Sequence, residues 1–393
     1  MRHIFAAASL LALAACGLQG TDGDRSEGDE TAAPAPNANL ADAMASRDPA
    51  EGENYIPDIP DSEERAEMQL QVLLDREGFG PGVIDGAMGM STENALRGFQ
   101  EANGLEITGD LDEATRAALA RWDNIPATRV VRIPEDWRSL TFSELPDEPA
   151  AQADLTSLGY ESLDERLAER FHTTIEVLEA LNPGGRPAGA TDTPETGTAP
   201  EGAGEADDAA ATRSSFAPGQ ILRVPNVGAD RIARDAVSDE DWRRTLQMLG
   251  VGSEQPEVER IVVSKSKGTL KAYDADEKLV ALFTVTTGSE HDPLPLGDWS
   301  VKGVAYNPSF SYDPDLFWDA SEADEEEQLP PGPNGPVGVV WIDLTKDHYG
   351  IHGTPEPQAI GRSQSHGCVR LTNWDAARLA QMVTGGTDVI FEA

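Results

Sequence analysis

Two short fragments concentrate the reactive side chains of this chain: Tyr349-Gly350-Ile351-His352-Gly353-Thr354 and Ser365-His366-Gly367-Cys368-Val369-Arg370-Leu371. Acyl transfer needs a nucleophile, a base and donors for an oxyanion, and this set can supply all three. Only a thiolate attacks efficiently, and a free thiol is mostly protonated at neutral pH. A nearby imidazole can accept that proton, hold the thiolate as an ion pair and later protonate a leaving amine. His352 is the candidate for this role. In an extended backbone His366 points to the same side as Cys368 and could shape the site or donate to the oxyanion; spacing alone does not decide which imidazole is the base. Gly367 and Ser365 are small residues suited to a tight turn that exposes backbone N–H groups. The rival chemistry is zinc binding by His291, His348, His352, His366 and Cys368. Gly350 and Gly353 interrupt any helical ligand spacing, so the expectation is no metal and no cofactor.

His-Gly-Thr followed by Ser-His-Gly-Cys-Val-Arg-Leu resembles the YkuD-type L,D-transpeptidase catalytic domain, over about residues 260–391. The resemblance implies a mainly-β fold, Cys368 as nucleophile, and His352 as proton donor and acceptor. It also implies a backbone carbonyl, here that of Gly353, orienting the histidine in place of a carboxylate. Many members carry Asn where this chain has Arg370. The implied reaction is attack of Cys368 on the third residue of a peptidoglycan tetrapeptide stem, expelling the terminal D-Ala. An amine of another stem then resolves the thioester. Water as the acceptor would make the same site an L,D-carboxypeptidase or other hydrolase; a non-catalytic wall-binding lipoprotein is the alternative of another class.

Stem peptides carry carboxylates, while 70 acidic against 30 basic residues give the chain a formal charge of −40. Long-range attraction therefore cannot recruit them. Local cations must do so, and Arg362 and Arg370 bracket the nucleophile. The same balance argues against nucleic acid, whose phosphates need clustered Lys and Arg. The segment 306–336 reads as a long insert between strands, with Phe310, Tyr312, Phe317 and Trp318 before an acidic run and a Pro/Gly-rich stretch. Such a loop can form a lid or groove wall, with Tyr312 and Trp318 toward substrate. Ser365 is expected to contact substrate as well.

The elements that position these residues fall in the last third. Ile261-Val262-Val263, Thr269 to Tyr273, 279–287 and 337–344 read as strands. A helix follows over 373–383, and Val389-Ile390-Phe391 closes the chain as a strand, so a sandwich or closed sheet is expected over 258–393. Upstream, residues 62–121 alternate helices and turns. Asp85, Gly86, Gly89, Thr92, Ala95, Leu96, Phe99, Gln100, Gly104, Thr108, Gly109, Leu111 and Thr115 resemble the small all-α peptidoglycan-binding domain. Asp112 stands at an N-cap position of its last helix.

Residues 128–227 carry two helices with capping-box spacing, Ser162 with Glu165 and Thr173 with Glu176. Asn182-Pro183 and then Pro218-Gly219-Gln220 with a short strand follow. This α+β order resembles a LysM glycan-binding module with a disordered insert at 185–215 and a poorly matching first strand.

The chain opens with a basic tripeptide and an apolar run, Ile4 to Leu13, too short to span a bilayer. Leu13-Ala14-Ala15-Cys16 resembles a lipobox, making residues 1–16 a lipoprotein signal with lipid on Cys16. Residues 17–60, rich in Ala, Pro, Asp, Glu and Gly, read as a flexible tether. The expected setting is the periplasm, anchored to an inner or outer membrane, with peptidoglycan stems and glycan as partners. Cys368 is then the sole thiol, without a disulfide partner.

Overall fold

The computed structural model describes residues 56–190, 214–228, 232–233, 235–289, 291–316, 325–363, 365 and 367–393. The expected lipobox with Cys16, most of the tether, most of the insert at 185–215, His366 and Trp318 lie outside them.

The first module contains α1 (Ala66–Arg76), β1 (Phe79–Gly80), α2 (Met90–Ala102) and α3 (Glu113–Leu119). Asp112 does cap α3, accepting the Thr115 N–H at 2.8 Å. Its turns are held by two buried glutamines. Gln100 spans Thr108, Gly109, Asp110 and Thr115, and Gln71 accepts from the N–H groups of Asp85 and Gly86. α1 is buried on nearly all sides, whereas a surface helix keeps a polar face. The reason is that it feeds two cores. Met68 and Val72 pack with the middle module, while Leu70, Leu73 and Leu74 pack with Phe79, Leu96 and Phe99.

In the middle module β2 (Thr128–Arg132) pairs antiparallel with β3 (Ile221–Pro225). Between them lie α4 (Pro149–Ala153), α5 (Leu163–Arg170) and α6 (Ile175–Leu181). The first strand, poorly marked in the sequence, is therefore present. Ser162 caps α5 as expected, by accepting the Glu165 N–H. The second cap differs from the expected Thr173: Thr174 accepts the Val177 N–H. Thr173 instead donates to the Ile84 carbonyl of the first module, so its hydroxyl serves an intermodule contact.

A helix upstream of 258 packs on the catalytic-candidate region. α7 (Glu240–Leu249), capped by Asp239 and ended by Gly250 at φ 72°, buries Trp242, Leu246 and Leu249 against the sheet. Next come β4 (Arg260–Ser264), β5 (Thr269–Tyr273), β6 (Leu279–Thr284), β7 (Gly297–Tyr306), β8 (Phe310–Tyr312), β9 (Glu327–Leu329), β10 (Val340–Leu344), β11 (Gly350–His352) and β12 (Val369–Arg370). The helix α8 (Asn373–Met382) and β13 (Asp388–Glu392) follow. The large sheet runs β1-β6-β5-β4-β13-β7-β10-β11-β12. Bridges Thr286 to Arg370 and Gly288 to Ser365 bring the chain leaving β6 back onto the far edge, so the sheet closes around its core as expected. β8 and β9 form a separate ribbon within the 306–336 insert.

The modules are not beads on a tether: residues 56–393 form one compact unit. β1 of the first module pairs parallel with β6, Phe79 opposite Leu282. Gly98 of α2 lies so close that a Cβ there would stand 2.8 Å from the Leu282 Cβ. At the junction of all three modules, Arg378 of α8 grips Asp75 of α1 through two bonds of 2.9 and 2.8 Å. His172 of the middle module adds Nδ1 at 3.2 Å from Asp75, gives Nε2 to the Leu249 carbonyl, and stacks on Trp374. Burial alone would raise the Asp75 carboxyl, but Arg378 and His172 hold it well below the usual carboxylate range.

Candidate active site

β11 and β12 run parallel, with Ile351 opposite Val369 and His352 opposite Arg370. One step earlier in that register, Gly350 faces Cys368, and a hydrogen bond from the Gly350 backbone favours the thiolate. The thiol donates toward the His348 carbonyl at 3.9 Å. Two glycines make this approach possible. A Cβ on Gly350 would stand 2.5 Å from the Trp341 ring, and one on Gly367, at φ +99°, 2.6 Å from the Tyr349 ring. L-residues with a Cβ rarely adopt the latter conformation.

His352 is buried on β11. Its Nδ1 lies 2.7 Å from the Gly353 carbonyl oxygen. A carbonyl only accepts, so Nδ1 carries the proton and Nε2 is the acceptor in the neutral ring. The Trp341 indole stacks on the imidazole at 5.6 Å between centroids. Burial, then the Arg370 charge, push the imidazole down to about 4, against a smaller opposing effect of the Gly353 carbonyl. Burial pushes the Cys368 thiol up, with the Gly350 backbone and Arg370 opposing. Both shifts favour the neutral forms, thiol and imidazole, over the ion pair anticipated from residue types. A proton must move at the moment of attack.

Arg370 acts electrostatically on both His352 and Cys368, and its backbone exchanges hydrogen bonds with Thr286. Ser365 has a different place from the expected substrate contact. It is buried, and its hydroxyl donates to the Cys368 carbonyl at 2.6 Å, so it holds the nucleophile loop. Arg362 is exposed beside a cleft of about 180 Å³ shared with Gln71, Asp85, Ser91 and Thr92 of the first module. That puts it at a module junction; Cys368 does not line this cleft. Tyr312 sits on the β8–β9 ribbon opposite Glu327.

Three contributors were not singled out from the sequence. Trp341 packs on both Gly350 and His352; it occupies the outward-facing alternate position of β10, where a tryptophan is a signal. Tyr349, next to Gly350, packs on Gly367, and its phenol is pushed up by burial and by Cys368. Asn373, wholly buried, presses its Oδ1 against Gly353: a Cβ on that glycine would stand 2.2 Å away. Only the fold brings Asn373 there.

Comparison with known proteins matches residues 258–391 to the family described as "YkuD: L,D-transpeptidase catalytic domain". Residues 67–119 match "Putative peptidoglycan binding domain". A Bacillus licheniformis protein named "Putative L,D-transpeptidase YkuD" is 33% identical over 130 residues, covering 33% of this chain and 63% of the relative. The Bacillus subtilis "Putative L,D-transpeptidase YqjB" is 29% identical over 136 residues, 33% of this chain and 69% of its own. A solved L,D-transpeptidase from Mycobacterium smegmatis aligns with 22% identity and TM-score 0.29, over 35% of this chain and 59% of that one. Over these matches the chain spans between about three fifths and seven tenths of each relative's length. The C-terminal third is thus similar in sequence to L,D-transpeptidase catalytic domains, and a peptidoglycan-binding type of module precedes it.

Proposed function

We propose that the protein is an L,D-transpeptidase that cross-links or modifies bacterial peptidoglycan through an acyl-enzyme on Cys368. The observation that carries this reading is the pairing of β11 with β12. It sets the nucleophile strand beside the histidine strand, with His352 held in the tautomer that leaves Nε2 as acceptor. In the first half-reaction the thiol proton passes to Nε2 as sulfur attacks the stem carbonyl. The new S–C bond forms, the C–N bond to the terminal D-Ala breaks, and the leaving amine takes the proton from His352. In the second, an amine of another stem attacks the thioester, the S–C bond breaks, and a proton returns to sulfur. Arg370 is the cation placed to offset a stem carboxylate; an anion there would also relieve the charge that depresses His352. Arg362, Tyr312 and Trp318 are read as further contacts for the stem or the acceptor.

The matched module at 67–119 supports retention on peptidoglycan, where local concentration sets encounter frequency. The antiparallel pairing of β2 with β3 around the α5–α6 helix pair supports a LysM-like reading of the middle module. Export as a lipoprotein through Cys16, with a periplasmic location, rests on the sequence of residues 1–16 alone.

The test is intact mass of the soluble chain, lipobox removed, after exposure to a carbapenem, beside Cys368→Ala. A single adduct on the parent and none on the variant supports the reading; no adduct on either overturns it. With tetrapeptide stems and an amine acceptor, a cross-linked product supports transfer, whereas free tripeptide alone indicates a hydrolase.

A further inference from the structure

The middle module reaches into the catalytic frame through one buried carboxyl. Glu169, on α5, accepts from the Tyr160 hydroxyl on one oxygen and from Asn373 Nδ2 on the other, at 2.8 Å. Asn373 Nδ2 also donates to the Pro333 carbonyl at 3.0 Å, and its Oδ1 accepts from the Val339 N–H at 3.2 Å. The same Oδ1 packs directly on Gly338 and Gly353, where no Cβ would fit. Gly353 is the residue whose carbonyl fixes His352. The chain of contacts therefore runs Tyr160, Glu169, Asn373, Gly353, His352, with no water-filled gap needed at any step.

A second set of bonds ties the same module to the return arm of the 306–336 insert. Asn334 donates through Nδ2 to the Gly159 carbonyl at 3.0 Å and to Glu165 at 2.8 Å. The backbones of Leu158, Pro331 and Asn334 exchange two further bonds. Gly332 lies against the Leu158 carbonyl, 2.0 Å from where its Cβ would be. The insert that was expected to form a lid or groove wall is thus pinned on this side.

We propose that Glu169 is a positioning residue for the reaction, holding Asn373 so that the Gly353 carbonyl keeps His352 in the reactive tautomer. The surroundings of Glu169 suit this role. Burial of Tyr160 and Glu169 together keeps the bonded geometry dry, and hydrogen bonds inside a low-dielectric site tolerate little misalignment. The middle module would then be required for catalysis as well. This inference rests on the reading of Cys368 and His352 as the reacting pair.

The experiment compares the folded 56–393 unit, Glu169→Leu, Glu169→Asp and Glu169→Gln by two readouts. One is the carbapenem acylation rate, resolved into binding and the maximal acylation step. The other is the ring-nitrogen NMR signature of His352, assigned with His352→Gln. Glutamine keeps an oxygen for Asn373 Nδ2, whereas leucine cannot accept and aspartate is one methylene too short. Expected are a fall in the maximal acylation step on the order of tenfold or more in Leu and Asp, unchanged carbapenem binding, and mixed His352 tautomers. Glutamine should restore both readouts. A folded Leu or Asp variant with the parent rate and tautomer overturns the proposal, and so does a Gln variant as impaired as Leu. If Leu does not fold, Asp decides. The NMR signature reads positioning without any adduct, so a parent protein that fails to acylate counts against the Cys368 chemistry and not against this contact chain.

Discussion

The protonation state of the Cys368–His352 pair can be tested by titration. Ordinary cysteine titrates at 9.0 and burial pushes Cys368 above that, while His352 is pushed down to about 4. The displacement of His352 from an ordinary 6.5 to about 4 alone adds about 3 kcal/mol to the cost of moving the proton from sulfur to imidazole, at roughly 1.4 kcal/mol per pKa unit, and the rise of Cys368 adds to it. At pH 7 the thiolate is therefore a minor form. Two consequences follow in opposite pH regions. The ultraviolet thiolate signal, and the alkylation rate with a small neutral haloacetamide, should rise only above pH 9, with no step between pH 4 and 8. The acid limb of carbapenem acylation should lie near about 4, because the base form of His352 persists down to that pH.

Arg370→Met sharpens the test. Removing a charge that favours thiolate and disfavours imidazolium should move the acid limb upward and the thiolate step further up. A thiolate step between pH 4 and 6 in the parent protein, matched by imidazolium signals from His352, would refute the neutral-pair reasoning. It would mean that the Gly350 backbone bond and the Arg370 charge outweigh burial.

Three other perturbations address the frame around the pair. Burial raises the Glu169 carboxyl to about 7 from an ordinary 4.5, with Tyr160 and Asn373 opposing and Glu165 adding to the rise. The folded state therefore binds the proton more tightly, and stability present below pH 4.5 is lost as pH rises through about 7, by about 3 kcal/mol. Glu169→Gln should remove that loss, melting higher than the parent at pH 8 and alike at pH 4; identical melting curves at both would contradict it. Arg378→Met leaves Asp75 buried with His172 alone and should cost about 3–5 kcal/mol in denaturant unfolding, most of it recovered by the double variant with Asp75→Leu. A single-variant loss below about 1 kcal/mol would show that the junction charges are dispensable. Gly350→Ala drives a Cβ into the Trp341 ring and should displace it from His352, lowering acylation by on the order of tenfold; an unchanged rate with an unchanged Trp341 environment would remove Trp341 from the site.

The two reactive fragments were legible because each is local: glycines that permit a tight approach sit within two residues of the histidine and cysteine they serve. The closed sheet was legible for a similar reason, since β4, β5, β6, β10 and β13 are β-branched or apolar runs with clear boundaries. One readable signal lies outside the expected boundary at 258. Trp242, Leu246 and Leu249 follow an Asp-rich cap at helical spacing and precede Gly250, which is how α7 announces itself. What no local pattern carries is the identity of the partner. Thr173 and Thr174 are adjacent and chemically alike, and only the position of the Ile84 carbonyl decides which one caps the helix. Nothing near Asn373 in the chain points to Gly353, and nothing near Glu169 points to Asn373.

The composition of α1 shows why the modules form one compact unit. Taken alone, Met68, Leu70, Val72, Leu73 and Leu74 make an apolar helix with a buried acid, Asp75, on the wrong side. A solitary three-helix module has no use for that acid, and an unpaired buried carboxylate would be strongly unfavourable. The contradiction disappears once a second core covers Met68 and Val72 and Arg378 reaches Asp75 from the catalytic sheet's own helix. The same logic applies to Glu169, acidic and buried in a short amphipathic helix. Buried acids bonded across a module boundary therefore mark where one module needs another. Asp75 and Glu169 both lead to α8, the helix that begins at Asn373 and backs the strand bearing His352.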